Sequence, residues 1–475
     1  MSDWQPKIVV FLCQWSLKSD SEWARRFHQP DGVRVIEVPC SGRVNPLLLL
    51  STLQHGADGI LVVGCQPEHC HYKEGNYVGR RKFATLKSFL QYVGLEERRV
   101  QFAWLGETDL RLAGRNGSRQ AAGTRRRVAA GCPGAGTDAG VGRARRSSQH
   151  SVRPMTATGP AMQELTEAIQ REAKRLLDSG EVDVVIGFTK GTLPMRAAPV
   201  VIRKAADSER LVWGPFCENN LARYLRGVRD KRVAIVAKGC DTRSIVALIN
   251  EHQLEREKLY IIGVPCEGMI DRRIVPRRAP GEVTSVHQDG DEVVVEGDGF
   301  SIRLPRSEVL YRSCAACVHP NPVIYDVLLA EPVEVTSGDP FAYVRQIEEK
   351  PAAERAAYFA SEAQRCIRCY ACRQACPMCY CEECFVDHTA PRWMETGVTP
   401  AGQQAWQIGR AYHLVGRCVN CGACERACPT EIDLVYLNGK SSRTVWELFG
   451  FEAGVEVDKP PPLAVFLPDE DPDVS

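Results

Sequence analysis

Eight cysteines fall into two runs of one spacing: Cys366, Cys369, Cys372 and Cys376 with Pro377 behind it, then Cys418, Cys421, Cys424 and Cys428 with Pro429 behind it. Two-residue gaps bring three thiolates to one face of a small inorganic cage, and the cysteine before proline is carried away toward a neighbour. That pattern suits two 4Fe-4S cubanes that exchange their last ligands. Cys366, Cys369, Cys372 and Cys428 are expected to hold one cluster, and Cys418, Cys421, Cys424 and Cys376 the other. Paired zinc knuckles compete with this reading, but structural zinc takes its ligands as pairs of Cys-x-x-Cys rather than as three plus one. Two cubanes held close together make a path for single electrons.

Both runs match the bacterial ferredoxin pattern, so residues 339–458 are expected to form a dicluster ferredoxin module. Between the runs, Cys379, Cys381 and Cys384 could supply most of another centre or pack as accessory thiols. His388 is near enough in sequence to be a further ligand, although a lone histidine is more often a hydrogen-bonding or surface residue. Met1 to Val9 carries no cationic and apolar leader, and no stretch approaches the roughly 18 apolar residues of a membrane span. A cytoplasmic location is expected, where most of the 21 cysteines stay reduced and metal ligation is their default role. A net charge of +1 with 44% hydrophobic and 25% charged residues argues against nucleic acid or a membrane surface as partner of the whole chain.

Upstream, different elements must do the positioning. Lys7–Cys13, Val33–Cys40, Ile60–Cys65 and Val100–Leu105 are short apolar runs bounded by turn signals, which read as buried strands. Helical patterns occupy Ser21–Phe27, Asn45–His55 and Tyr77–Val93. The alternation predicts a small doubly wound parallel sheet over residues 1–110. Cys13, Cys40 and Cys65 then end three successive strands, with Cys70 in the loop beyond the third. Ligand sites lie at that edge of such sheets, so the four sulfurs can converge on one cluster. Cysteines that merely pack as small hydrophobes are the alternative.

Residues 6–106 resemble the delta subunit of heterodisulfide-reductase-linked hydrogenases, through Cys40-Ser-Gly-Arg43, Gly56-Ala-Asp-Gly59, Gly64-Cys-Gln-Pro-Glu-His-Cys-His-Tyr-Lys-Glu-Gly-Asn76 and Arg80-Arg81. The resemblance implies a 2Fe-2S cluster, a hydrogenase or formate dehydrogenase as electron donor and a flavin-bifurcating partner. This chain departs from the family at Ser16, where a cysteine is usual, and at Gln66-Pro-Glu-His69.

From residue 159 to residue 338 a second α/β domain is expected. Met162–Asp178 reads as an amphipathic helix, Val182–Gly187, Pro199–Ile202, Arg232–Ala237 and Leu259–Val264 read as strands, and Glu282–Leu310 reads as a polar β-hairpin region. Cys240 and Cys266 again close strands. With Cys314 and Cys317 they would complete a further 4Fe-4S site, in which Cys217 could replace Cys240. The turn of Gly239, Cys240, Asp241, Thr242 and Arg243 could hold a phosphate at a helix N-terminus, with Arg243 adding charge. Asp241 and Thr242 are equally suited to capping that helix. Ser179-Gly-Glu-Val-Asp-Val-Val185, Gly263–Cys266 and Cys314–Cys317 followed by Tyr325-Asp326 resemble the beta subunit of deazaflavin-reducing hydrogenases and dehydrogenases. That resemblance implies FAD, 4Fe-4S clusters and hydride exchange with a deazaflavin, although no Gly-x-Gly-x-x-Gly fingerprint is present.

Residues 111–158 form a linker between these regions. From Arg111 to Pro154 it is rich in arginine, glycine and alanine, and it has no lysine and a single acid, Asp138. It reads as a basic arm, or as out-of-frame sequence joining two originally separate subunits, with Cys132 idle. Residues 459–475, which contain Pro460-Pro-Pro462 and end acidic, read as a disordered tail. The whole is expected to be an iron–sulfur subunit of an oxidoreductase complex with no catalytic residue of its own. In that role it passes electrons from a hydrogenase, formate dehydrogenase or similar donor to a flavin-bifurcating heterodisulfide-reductase-like partner. The alternative is an FAD enzyme that takes hydride from a deazaflavin or nicotinamide and feeds single electrons to its own clusters.

Overall fold

The computed structural model describes residues 6–16, 31–105, 159–335, 338–390, 392, 394 and 397–465. The expected helix at 21–27, the linker with Cys132 and the acidic end lie outside these residues.

Four parallel strands, β1 (Ile8–Cys13), β2 (Val33–Val38), β3 (Gly59–Cys65) and β4 (Val100–Leu105), pair in the order β2-β1-β3-β4. Helix α1 (Pro46–Gln54) links β2 to β3. It begins where the Asn45 side chain accepts from the Leu47 N–H, with Pro46 fixing the first turn. Helix α2 (Gly75–Tyr92) links β3 to β4 and buries Leu86, Phe89 and Leu90.

The central region begins with α3 (Gly159–Asp178). Its apolar stripe of Leu165, Ile169, Ala173 and Leu176 packs on a five-stranded sheet. That sheet holds β5 (Val184–Lys190), β6 (Ala197–Ile202), β7 (Val233–Ala237), β8 (Leu259–Gly263) and β12 (Val327–Leu328) in the order β12-β8-β7-β5-β6, with only β6 antiparallel. Helix α4 (Gly239–Asn250) crosses from β7 to β8. The expected hairpin is a three-stranded antiparallel meander, β9 (Val283–Asp289), β10 (Glu292–Gly297) and β11 (Phe300–Pro305), because Gly290 and Gly299 make two turns rather than one.

The C-terminal region is helical. Its main helices are α5 (Ala342–Glu348), α6 (Ala352–Gln364), α7 (Pro400–Tyr412) and α8 (Leu434–Phe449). One apolar core runs through it and the N-terminal sheet, joining Phe11, Leu47, Leu86 and Phe89 to Phe359, Ile408, Tyr436 and Val445. Tyr92 stacks on Tyr436 with ring centres 4.9 Å apart. Arg355 donates to the carbonyls of Tyr92 and Gln91 at 3.1 and 3.0 Å. On its other side the helical region meets α4: Arg243 donates to Ala453 O at 2.8 Å, and Arg417 and Glu251 make a bidentate pair at 2.6 Å. Residues 459–465, expected as tail, are held in place. Arg81 donates to Pro462 O at 3.0 Å and Val465 O at 2.6 Å, and Asn250 donates to Lys459 O at 2.9 Å.

Candidate metal centres

The two cysteine runs adopt one backbone conformation. Arg368 and Tyr370 have φ of 52° and 59°, and the matching Asn420 and Gly422 have 56° and 70°. L-residues avoid this left-handed region, so its use at equivalent places in both loops marks a shared purpose. Alternation of right- and left-handed residues turns successive N–H groups inward and makes a concavity for an anion. Asn420 N–H points at Cys418 Sγ (3.4 Å), Ile432 N–H at Cys428 Sγ (3.5 Å) and Asn438 Nδ2 at Cys424 Sγ (3.3 Å).

The thiols sort into sets that cross between the runs. Burial raises the Cys372 pKa, and the facing thiols of Cys366 and Cys428 raise it further; Cys366 likewise feels Cys428. Burial also raises Cys418, to about 12, with Cys421 and Cys376 beside it, and Cys424 faces Cys376, Cys418 and Cys421. Cys376 therefore stands among the thiols of the later run, and Cys428 among those of the earlier one. Cys369 lies exposed at the rim of its loop. Thiols this reluctant to ionise stay protonated until a metal displaces the proton.

Cys379, Cys381 and Cys384 each have a different first partner, although Cys379 and Cys384 lie near each other. Cys379 bonds the Cys376 thiol, Cys384 pairs with Arg373, and Cys381 is exposed near Arg417 and Tyr380. His388, beyond them in sequence, is half-buried.

At the C-terminal edge of the N-terminal sheet, Cys13 Sγ and Cys65 Sγ are 3.7 Å apart. Burial pushes the Cys65 thiol up to about 12, helped by Cys13 and Cys70; burial likewise raises Cys40, which faces Cys13 and Cys70. All four side chains thus meet. Gly75 makes room for them, since a Cβ there would lie 2.3 Å from Cys40 Sγ and 3.5 Å from Cys70 Sγ. Fully buried Asn76 holds the rim through its bonds to Cys65 O (3.2 Å) and Gln66 O (2.9 Å). Ser16 turns inward and donates to Cys13 O at 2.6 Å.

Cys240, Cys266, Cys314 and Cys317 line a cavity of about 730 Å³ between the central sheet and the helical region, and Cys421 of the second run also reaches it. Burial raises Cys266 to about 12, with Cys314 and Cys317 opposite, and Cys240 faces both Cys266 and Cys421. Cys217 is buried to one side, with its thiol directed at Val212 O.

The phosphate cradle expected at residues 239–243 is corrected in part. Gly239 and Arg243 line the cavity, but Asp241 and Thr242 are fully buried away from it. Asp241 accepts from Lys238 Nζ (2.9 Å), Lys238 N (3.0 Å) and Leu221 N (2.8 Å); Thr242 bonds Gly239 O and Val323 N at 3.0 Å. They cap the helix and brace the loop. Arg243 is spent on Ala453 O and Glu452.

Other residues here were missed from sequence. Gln403, Gln407 and Arg410 form a buried polar stripe on α7 at helical spacing. Gln403 donates to Cys366 O, and Arg410 to Cys372 O at 3.1 Å. A stripe of polar residues on the face that also carries Trp406 was the available signal. Arg426 is buried between Cys421 and the central thiols.

Among the described residues no three Cys, His, Asp or Glu side chains close tightly enough for a single ion. A cluster spreads its thiolates over separate irons, and the crossed thiol sets, inward N–H groups and buried arginines fit one.

A family model described as methyl-viologen-reducing hydrogenase, delta subunit, matches residues 8–115, and one described as 4Fe-4S dicluster domain matches residues 362–432. An iron-sulfur subunit of the F420-non-reducing hydrogenase of Archaeoglobus profundus is 41% identical over 114 residues, 23% of this chain and 83% of that protein. The beta subunit of the F420-dependent formate dehydrogenase of Methanocaldococcus jannaschii is 24% identical over 351 residues, 61% of this chain and 91% of its own length. One subunit of the ferredoxin:CoB-CoM heterodisulfide reductase of Methanosarcina mazei is 37% identical over 106 residues, 22% of this chain and 13% of its own.

Proposed function

The chain belongs, through residues 8–115, to the delta-subunit family of methyl-viologen-reducing hydrogenases, and we propose that it is an iron–sulfur relay in the cytoplasm. In this reading it carries electrons between a hydrogenase, formate dehydrogenase or similar donor and a flavin-bifurcating, heterodisulfide-reductase-like partner. The carrying observation is the one left-handed backbone pattern of the two loops, with Cys376 near thiols of the later run and Cys428 near thiols of the earlier one. When bound, 4Fe-4S clusters accept and release one electron at a time. Cys366, Cys369, Cys372 and Cys428 would hold one, and Cys376, Cys418, Cys421 and Cys424 the next. Cys240, Cys266, Cys314 and Cys317 would hold a further 4Fe-4S cluster, and Cys13, Cys40, Cys65 and Cys70 a 2Fe-2S cluster.

The surrounding residues keep each site ready. Backbone N–H groups and Asn438 aim at sulfur, which stabilises thiolate charge. The packed helices around Trp406 and Tyr436 exclude water. Asn220 joins the second run to the central set: its Nδ2 donates to Cys240 O at 3.1 Å, and its side chain also bonds the Cys421 thiol. The partner reading draws on relatives named as subunits of a hydrogenase, a formate dehydrogenase and a heterodisulfide reductase.

A second reading, an FAD oxidoreductase, is favoured by a cleft of about 620 Å³ beside the second run. Lys190, Arg196, Arg223 and Arg272 line it, a setting for an anionic cofactor. Iron, acid-labile sulfide and flavin are to be counted together on anaerobically purified chain. About ten irons or more without flavin support the relay. The same iron with stoichiometric FAD supports the second reading, and fewer than about eight irons, or zinc instead, refute both.

A further inference from the structure

Arg410 is 3% exposed and Arg426 7% exposed, and each lies where two thiol sets meet. Arg410 projects from α7 with its Nη2 on Cys372 O at 3.1 Å. Cys372 belongs to the first set, and Cys424 and Cys376 of the second set lie close enough to act on the same guanidinium, as does Cys379. Arg426 bonds Ser313 Oγ at 3.3 Å and lies 5.2 Å from the Tyr311 ring centre. It lines one cavity with Cys421 of the second set and with Cys314 and Cys240 of the central set. In both arginines Nε is buried without a hydrogen-bond partner. The groups that would carry negative charge around Arg410 are thiols, once they hold metal, and around Arg426 they are thiols together with Glu218.

We propose that Arg410 and Arg426 are fixed countercharges of the relay, each raising the reduction potential of the two centres it separates. The inference rests on the reading of the thiol sets as cluster sites. A guanidinium stays charged at any working pH, and burial without a carboxylate partner is costly unless another anion compensates it. Each electron that arrives adds one negative charge to a site screened from water, so the buried cation favours the reduced state. Sharing one cation between neighbours lifts both together and keeps the step between them small. Arg410 thus acts on the first and second centres, and Arg426 on the second and central ones. Both are positioning residues rather than ligands.

The test is a potentiometric titration followed by electron paramagnetic resonance on the anaerobic full chain, with iron and sulfide counted for each variant. Arg410→Gln is expected to lower the ratio of reduced to oxidised form of both ferredoxin-type centres at least tenfold at fixed potential, about 59 mV for a one-electron couple. The central centre stays in place, and Arg410→Lys restores most of the shift. Arg426→Gln is expected to move the second and central centres and spare the first. Full iron with unmoved potentials, or one equal shift of every centre, overturns the inference. If Arg410→Gln does not assemble, the pattern in Arg426→Gln decides alone. Wild-type chain with fewer than about eight irons would instead refute the cluster reading beneath it.

Discussion

Gly75 separates two opposite expectations for one methyl group. It opens α2, its backbone does not need the left-handed region, and alanine is favoured over glycine in a helix by up to about 1 kcal/mol. By helix propensity Gly75→Ala should be neutral or mildly stabilising. By geometry the new Cβ would sit 2.3 Å from Cys40 Sγ, where non-bonded heavy atoms normally stand about 3.5–4.0 Å apart. The sulfur must retreat by more than about 1 Å, whereas a metal site tolerates only about 0.2 Å in its ligand distances. Its retreat is obstructed, because Cys40 is buried behind Ser41 and Gly42 and Lys82 bonds Gly42 O at 2.9 Å. Purified Gly75→Ala chain should therefore lack about two irons and the spectrum of the N-terminal centre. The ferredoxin-type signals and the far-ultraviolet circular dichroism should be unchanged. Full iron and an unaltered N-terminal signal in the variant would refute the assignment of Cys40 and Cys70 to one site.

Four further outcomes are expected. Cys376→Ser should leave the same residual spectrum as Cys418→Ser, and Cys428→Ser the same as Cys366→Ser, each short of about four irons; matching within a run instead of across runs would rule out the exchange of ligands. Lys238→Met strands the fully buried Asp241 carboxylate and should cost about 3–5 kcal/mol in denaturant unfolding, with partial recovery when Asp241→Asn is added. Burial, then Arg417, lowers the His413 pKa from 6.5 to about 4. The stability held by its neutral ring is complete above pH 6.5 and lost as pH falls toward 4, so about 1 kcal/mol should go between about pH 7.5 and about pH 5.5. Anaerobic unfolding of His413→Gln should show that much less acid dependence. Finally, a chain cut once between residues 111 and 154 should still elute as a one-to-one complex at micromolar concentration, because Arg355, Tyr92 and Arg81 join the two pieces directly; separation of the pieces would count against the shared core.

What could be read in advance was set by local spacing. Three thiols two residues apart can meet whatever the rest of the chain does, and Cys13 and Cys65 end strands, with Cys40 two residues beyond another, whose apolar runs already imply a parallel sheet. Cys240 and Cys266 likewise follow strands, the 314–317 pair had only its own spacing, and all four line one cavity. Side chains whose role depends on a distant neighbour were not legible in advance. Arg410 and Arg426 carry the same charge as surface arginines, and only burial against thiols from other segments distinguishes them. Asp241 and Thr242 sit at a helix start that could face either a ligand or the protein, and buried Lys238 decided the question. Pro460-Pro-Pro462 looked like tail because the partner that orders it, Arg81, is far away in the sequence.

The same reasoning explains why the helical region lies in the middle. Its two cysteine loops need buried thiols, yet α6, α7 and α8 are too few to cover them alone. The N-terminal sheet covers one side through Leu47, Phe89 and Tyr92, and α4 of the central sheet covers the other through Arg243 and Glu251. Burial raises the thiol pKa and lowers the local dielectric, and both effects enlarge the influence of each nearby charge. Arg410 and Arg426 act within that dry interior because two sheets close it. The packing that stabilises the helices and the electrostatics that favour electron passage are thus properties of one interface. A variant that loosens the docking of either sheet should weaken the hold of the arginines on the potentials even with every ligand retained.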